Sequence, residues 1–235
     1  MLDAAIEEFE HLVGKTIDLE RLDNILSLCA ALLDRSEAAP EGDVEAEKSL
    51  HRVAELARQW LPSYGAQDNL IGNSKLNLFL AQALQSLAER VNDQANLAES
   101  ETAYNQAIAG LTATKDPDGR LTDAKSGLAA VLQVLGEADH DAQKLRRAVT
   151  LHKDLVEASA SAGGSKEEAG PLENLAGSLM SLAGEVDSQE AESLYRQART
   201  ALERVIHIHQ LQGDGDREQL AQRSLDDLEK AVAQL

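Results

Sequence analysis

Leucine and alanine recur along this chain in a fixed figure. One copy is Leu80, Ala81, Leu84, Leu87 and Ala88; a second is Leu128, Ala129, Leu132, Leu135 and Gly136; a third is Leu175, Ala176, Leu179, Leu182 and Ala183. The copies are 48 and then 47 residues apart. A looser copy, Ile25, Leu26, Cys29, Leu32 and Leu33, lies 55 residues upstream, and a last one, Ala221, Leu225 and Leu228, follows by 46. Within each copy the apolar positions fall at i, i+4 and i+7, which is one face of an α-helix. Ala88, Gly136 and Ala183 follow the last leucine, and small residues there allow a second helix to approach closely. Repetition at such a period predicts stacked helical units rather than a single closed core.

Each of the first four copies is followed by a second helical stretch: 46–60, 98–111, 142–158 and 191–206. Leu50/Val53, Tyr104/Ala107, Leu145/Ala148 and Tyr195/Ala198 place a bulky residue three before a smaller one. Breaks are expected at 36–43, 61–74, 112–120, 159–166 and 211–216, with Pro62, Pro117 and Pro171 between pairs or at the start of the next helix. Ser165 with Glu168 has capping-box spacing, and Asp216 with Gln219 is a looser version. No stretch alternates with period two long enough to form a strand. The prediction is one all-α domain over 1–235: an N-terminal helix, four helix pairs at about 17–60, 74–111, 120–158 and 168–210, and a C-terminal capping helix at 217–235.

Leu87, Ala88 and Val91, then Tyr104 and Ala107, resemble the tetratricopeptide repeat. Leu87 to Ala107 is 20 residues, as the motif wants; Leu182 to Ala198 is 16 and Leu135 to Ala148 is 13, with Leu155 a second register 20 past Leu135. The period is longer than the usual 34 and looks like the long-helix repeats of bacterial proteins. The resemblance covers about 17–235. It implies antiparallel helix pairs stacked into a tetratricopeptide-like right-handed superhelix with a concave face.

Composition narrows the function. Net charge is −19 and the isoelectric point about 4.6, which repels phosphate backbones and argues against nucleic acid. Aromatics are 3% against 43% hydrophobic residues, a mixture that favours Ala- and Leu-rich helices. Cys29 is the single cysteine and sits in an apolar run, so an inert buried thiol is expected. The N-terminus lacks a basic start and an apolar centre, and no apolar run approaches a membrane span; a cytoplasmic protein with no membrane insertion is expected.

The concave wall is expected on the first helices, in four rows: Asp23, Ser27, Ala30, Asp34; Leu78, Gln82, Gln85, Glu89; Ser126, Ala130, Gln133, Glu137; and Glu173, Gly177, Met180, Gly184. No row holds Lys or Arg, so a neutral or basic peptide fits better than an acidic one. The residues expected to bind a partner are Gln82, Gln85, Glu89, Gln133, Glu137 and Met180. The six histidines form no converging metal set and are expected on the surface. The run at 213–216 lacks a calcium-ligand ladder, and Trp60 is expected to pack in the core. No nucleophile elbow or phosphate loop is present, so neither catalysis nor a cofactor is expected. The function this supports is a protein- or peptide-binding scaffold or adaptor. The alternative is a regulatory sensor module that changes shape on binding a short peptide or small molecule.

Overall fold

The computed structural model describes residues 2–13, 18–40, 42–64, 69–91, 93–116, 118–161 and 167–235. Ten α-helices and no strand are found among them: α1 (Leu2–Val13), α2 (Asp18–Glu37), α3 (Val44–Trp60), α4 (Leu70–Val91), α5 (Gln94–Ala113), α6 (Leu121–Asp139), α7 (Ala142–Ser161), α8 (Ala169–Ala183), α9 (Ser188–Gln212) and α10 (Gly215–Val232). The fold is all-α, built of antiparallel helix pairs, because short connections force successive helices back alongside one another. The chain divides into two compact units, 1–128 and 129–235, with the division falling inside α6.

In the first unit α1 packs on α2, α2 on α3, α3 on α4 and α4 on α5, and α2 also touches α4. First helices of successive pairs therefore meet, as stacked repeats require. Ile25, Leu28, Leu32, Leu50, Leu76 and Leu87 close its core. Cys29 lies in the same core, and burial pushes its thiol up to about 12, so it has no nucleophilic character at neutral pH. In the second unit α7 packs on α8, α8 on α9 and α9 on α10, around Leu145, Leu179, Leu182, Leu202, Val205 and Leu228.

The second helices share a start signal that the leucine figure hides. Asp43, Asp93, Asp141 and Asp187 each accept a backbone N–H from the first turn that follows: Glu45 at 2.8 Å, Ala95 at 2.9 Å, Gln143 at 2.8 Å and Glu190 at 3.0 Å. Each carboxylate satisfies an orphan donor and sits at the positive end of the helix. Asp93→Ala is expected to cost about 1 kcal/mol, read as a lower urea midpoint at unchanged slope.

Several boundaries differ from the sequence reading. The expected break at 61–74 is shorter, because Asn69 accepts the Gly72 N–H at 2.9 Å and starts α4 at Leu70. The expected break at 159–166 is also shorter, since α7 continues to Ser161. The cap of α10 is Asp214, which accepts from Arg217 at 3.2 Å, rather than Asp216. Gly213 ends α9 at φ 70°, a left-handed turn that glycine adopts without a Cβ penalty. Ser165 and Pro117 lie outside the described residues, as does the Val91 side chain. Glu168 makes no cap; it is buried and paired with Arg204. On the last helix Leu220 is 57% exposed, whereas Leu228 is fully buried and Leu225 and Val232 pack against the core.

Candidate functional site

In the first unit, α4 presents Gln82 and Gln85 half-buried and Glu89 exposed. Leu78, expected in the same row, is 1% exposed and belongs to the core instead. The surface it was placed on is covered over that half of α4. The Gln85 amide is held at both ends. Tyr104 Oη donates to its Oε1 at 2.8 Å, and its Nε2 donates to Glu89 Oε1 at 2.9 Å. Tyr104 is buried, and burial pushes its phenol well above the usual tyrosine range, with the Glu89 and Asp123 carboxylates adding to the effect. Its ring lies against Gly127, where a Cβ would stand 2.2 Å from ring carbon Cζ.

In the second unit Glu137 fixes the polarity of a longer chain of bonds. A carboxylate only accepts, so the Gln133 amide turns its NH2 toward it, with Nε2 donating to Glu137 Oε1 at 3.0 Å and to Ser181 Oγ at 3.3 Å. Gln133 Oε1 then faces Ser178, whose hydroxyl donates to it at 2.7 Å. That spends the one Ser178 proton, so His152 Nδ1, 2.9 Å from Ser178 Oγ, carries the hydrogen and donates. Ser181 also donates to Glu137. Ser178 is fully buried and His152 is 2% exposed; burial pulls the imidazole down to about 4, so it is neutral at pH 7.

The two arrangements are copies. Gln133, Glu137 and His152 each lie 48 positions after Gln85, Glu89 and Tyr104. In both, a buried polar ring on the second helix of a pair stands behind a glutamine on the first helix, bonded to it directly by Tyr104 in the first unit and through Ser178 of α8 by His152 in the second, and the glutamine orients an exposed carboxylate one turn on. The outer pairs lack the device: Ala30 and Asp34 stand in the first, Met180 and Gly184 in the fourth. The Gln-x-x-x-Glu spacing was readable in sequence. The ring behind it was not, since Tyr104 read as repeat packing and His152 as a surface histidine.

Two of the six histidines correct the surface expectation: His152 and His209 are buried, while His11, His51, His140 and His207 are exposed. His209 is 1% exposed because it closes the core between α9 and α8. Its Nε2 donates to Glu173 Oε1 at 3.3 Å, and its Nδ1 is buried with no partner. Trp60 is only partly buried. It packs on the core with its ring 5.4 Å from the Arg21 guanidinium carbon, a cation–π contact.

A cavity of about 730 Å³ opens in the second unit between α8, α9 and α10. Ala176, Met180, Leu202 and Leu220 supply apolar wall, while Gln133 and Ser181 line the end nearest α6. Glu173, Arg217 and Asp227 stand among its lining charges. Thus Glu173, Gly177 and Met180 of the expected fourth row and Gln133 of the third share one concavity; Gly184 does not line it. Leu220 escapes the core because it forms the α10 side of this groove.

The Ser178–His152 pair is not an activated nucleophile. The hydroxyl proton is committed to Gln133, the imidazole donates rather than accepts, and neither group reaches solvent. Among the described residues no group of three or more His, Cys, Asp or Glu is placed to hold a metal ion, and no helix is long and apolar enough to cross a membrane.

No family model matches the sequence, and no curated protein matches it. Among solved structures the chain is similar to a Podosopora anserina putative kinesin light chain described as having nearly identical TPR-like repeats, at 15% identity and a TM-score of 0.38, covering 85% of this chain and 94% of that one. A single-site variant of the same protein matches at the same identity and TM-score, with 93% of its chain covered. A third similar structure is a DHF58 filament, at 16% identity and a TM-score of 0.33, with 99% of this chain and 97% of that one covered.

Proposed function

We propose that this protein is a non-catalytic scaffold or adaptor that binds a protein or peptide on the exposed face of its first helices. The supporting observation is the repeated device on α4 and α6. Ordering a glutamine and a glutamate side chain costs conformational entropy, and here buried groups order both: Tyr104 in the first unit, and Ser178 backed by His152 in the second. The result is an oriented carboxylate beside a half-buried amide, Gln85 with Glu89 in one unit and Gln133 with Glu137 in the other, with Gln82 and Met180 on the same helix faces as their neighbours. A preorganised acidic and amide surface favours a neutral or cationic chain and disfavours an acidic one. A basic ligand also suits a protein of charge −19.

The test is capture of partners from native cells by the full chain, followed by titration of each captured protein against Glu89→Lys and Glu137→Lys variants. At least a tenfold loss of affinity is expected from the variant in the unit that binds, equivalent to about 1.4 kcal/mol. Binding should weaken as salt is raised, because exposed charges are screened over about 8 Å at physiological ionic strength. Glu192→Lys, away from these faces, serves as the control. Equal losses from all three substitutions would sink the reading.

A further inference from the structure

Glycines inside these helices fall into two kinds. At Gly110, Gly127 and Gly136 a Cβ would stand 1.9, 2.2 and 2.7 Å from the nearest side-chain atom of a neighbouring helix. Packing therefore demands glycine there. Gly177 is different. It lies mid-helix in α8, where glycine is the poorest residue after proline, yet a Cβ would meet only Gln133 Nε2, at an ordinary 3.7 Å. Folding does not require the missing side chain. Gly177 lines the groove bounded by α8, α9 and α10, so what its absence creates is space in that groove.

The walls say what the space fits. Leu220 is 57% exposed and turns to the same concavity as Met180 and Leu202. Such apolar surface gains from being covered, and methionine adapts its shape to different occupants. Glu173 stands among them. Its carboxylate is held from behind by the buried His209 imidazole, while 40% of its side chain remains exposed. A fixed carboxylate beside an apolar trough favours a cation attached to an apolar body. Arg217, the lining cation, has its own counter-ion in Asp214 at 3.8 Å.

We infer that the α8–α9–α10 groove binds a peptide segment of a partner protein that carries a leucine-sized apolar side chain next to a lysine or arginine. The apolar side chain lies against Met180, Leu202 and Leu220, the cation pairs with Glu173, and the peptide main chain passes over Gly177. This rests on the peptide-binding reading above and assigns one of its sites, on the second unit alone.

The test pans a random phage-displayed peptide library against the immobilised full chain, then titrates recovered peptides against variants. Recovered sequences should share an apolar residue beside Lys or Arg. Gly177→Leu, which fills the groove from its floor, should weaken them at least tenfold. Glu173→Gln, which keeps an acceptor for His209, should weaken them several-fold. Replacing the peptide's cation with glutamine should then add no further loss in the Glu173→Gln background, as expected for two groups that contact each other. Gly177→Ala should unfold at or above the wild-type urea midpoint, which separates a blocked groove from a damaged fold.

Acidic consensus peptides, or peptides that bind Gly177→Leu unchanged, overturn the groove assignment. If those peptides instead lose affinity with Glu89→Lys, the groove fails while the scaffold reading stands. No enrichment over a bare surface overturns both. A wild-type dimer in light scattering that Gly177→Leu converts to monomer assigns the groove to a second copy and overturns the proposal as stated.

Discussion

Gly127→Leu is expected to destabilise the protein by roughly 1–3 kcal/mol, the usual cost of forcing extra carbons into a packed site. The first added carbon would stand 2.2 Å from Cζ and Oη of Tyr104 and 2.6 Å from Cε1. That ring cannot swing aside cheaply. It is buried, and its hydroxyl is tied to Gln85 at 2.8 Å. Relief therefore requires α6 to move off or the Tyr104–Gln85 bond to break, which leaves a buried phenol unpaired. The substitution should also release Glu89, because Gln85 is what orients it. Gly177→Leu is the matched control: the same residue change, also in a helix, over open space. Urea unfolding of both variants checks the argument. A Gly127→Leu midpoint no lower than that of Gly177→Leu would show that Tyr104 is not wedged against α6. Ala88→Leu and Ala183→Leu place bulk at buried sites and should also lose stability.

The helices were legible because their apolar residues repeat on one face with a constant small residue at the crossing. That pattern depends only on local spacing, and burial of Leu80, Leu84, Leu87, Leu128, Leu132, Leu135, Leu175, Leu179 and Leu182 follows it. Leu78 and Leu220 show where spacing stops being informative. Leu78 belongs to the expected outer row but lies under cover, and Leu220 shares α10 with the buried Leu228 but lies over a groove. Whether a leucine is covered depends on how far the next helix stands off, which no local pattern records. The buried histidines were hidden for a related reason. His152 is tolerated in the core because Ser178 Oγ accepts the hydrogen bond from its N–H, and Ser178 is 26 residues away. A polar residue in a core is readable only together with its partner. The 48-residue offset that links His152 to Tyr104 was present in the sequence, and following it would have placed the imidazole at the position of a buried ring.

The His152 site makes the second large prediction, a loss of stability in mild acid. Burial holds the folded-state imidazole at about 4, whereas an unfolded chain has histidine near its ordinary value of about 6.5. As pH falls through 6.5 the unfolded state takes up a proton that the folded state refuses, so stability is complete above about 6.5, falls with pH toward 4, and levels off below. The full difference corresponds to roughly 3 kcal/mol, of which about 2 kcal/mol is lost between pH 7 and pH 5. Most carboxylates titrate below that interval, so the slope between pH 7 and pH 5 isolates histidine. His152→Gln removes the titrating group while leaving a side-chain amide that can donate to Ser178. Its urea-derived stability should vary between pH 7 and pH 5 by about 2 kcal/mol less than wild type. The Cε1 proton of His152, followed by NMR, should titrate near 4 and not near 6.5. The folded state keeps this imidazole neutral down to about 4, so across that window the Ser178–Gln133 bond that holds the Glu137 carboxylate stays made in every folded molecule. An ordinary histidine titration, or an unchanged slope in His152→Gln, would show that the imidazole reaches water and that Gln133 is positioned without it.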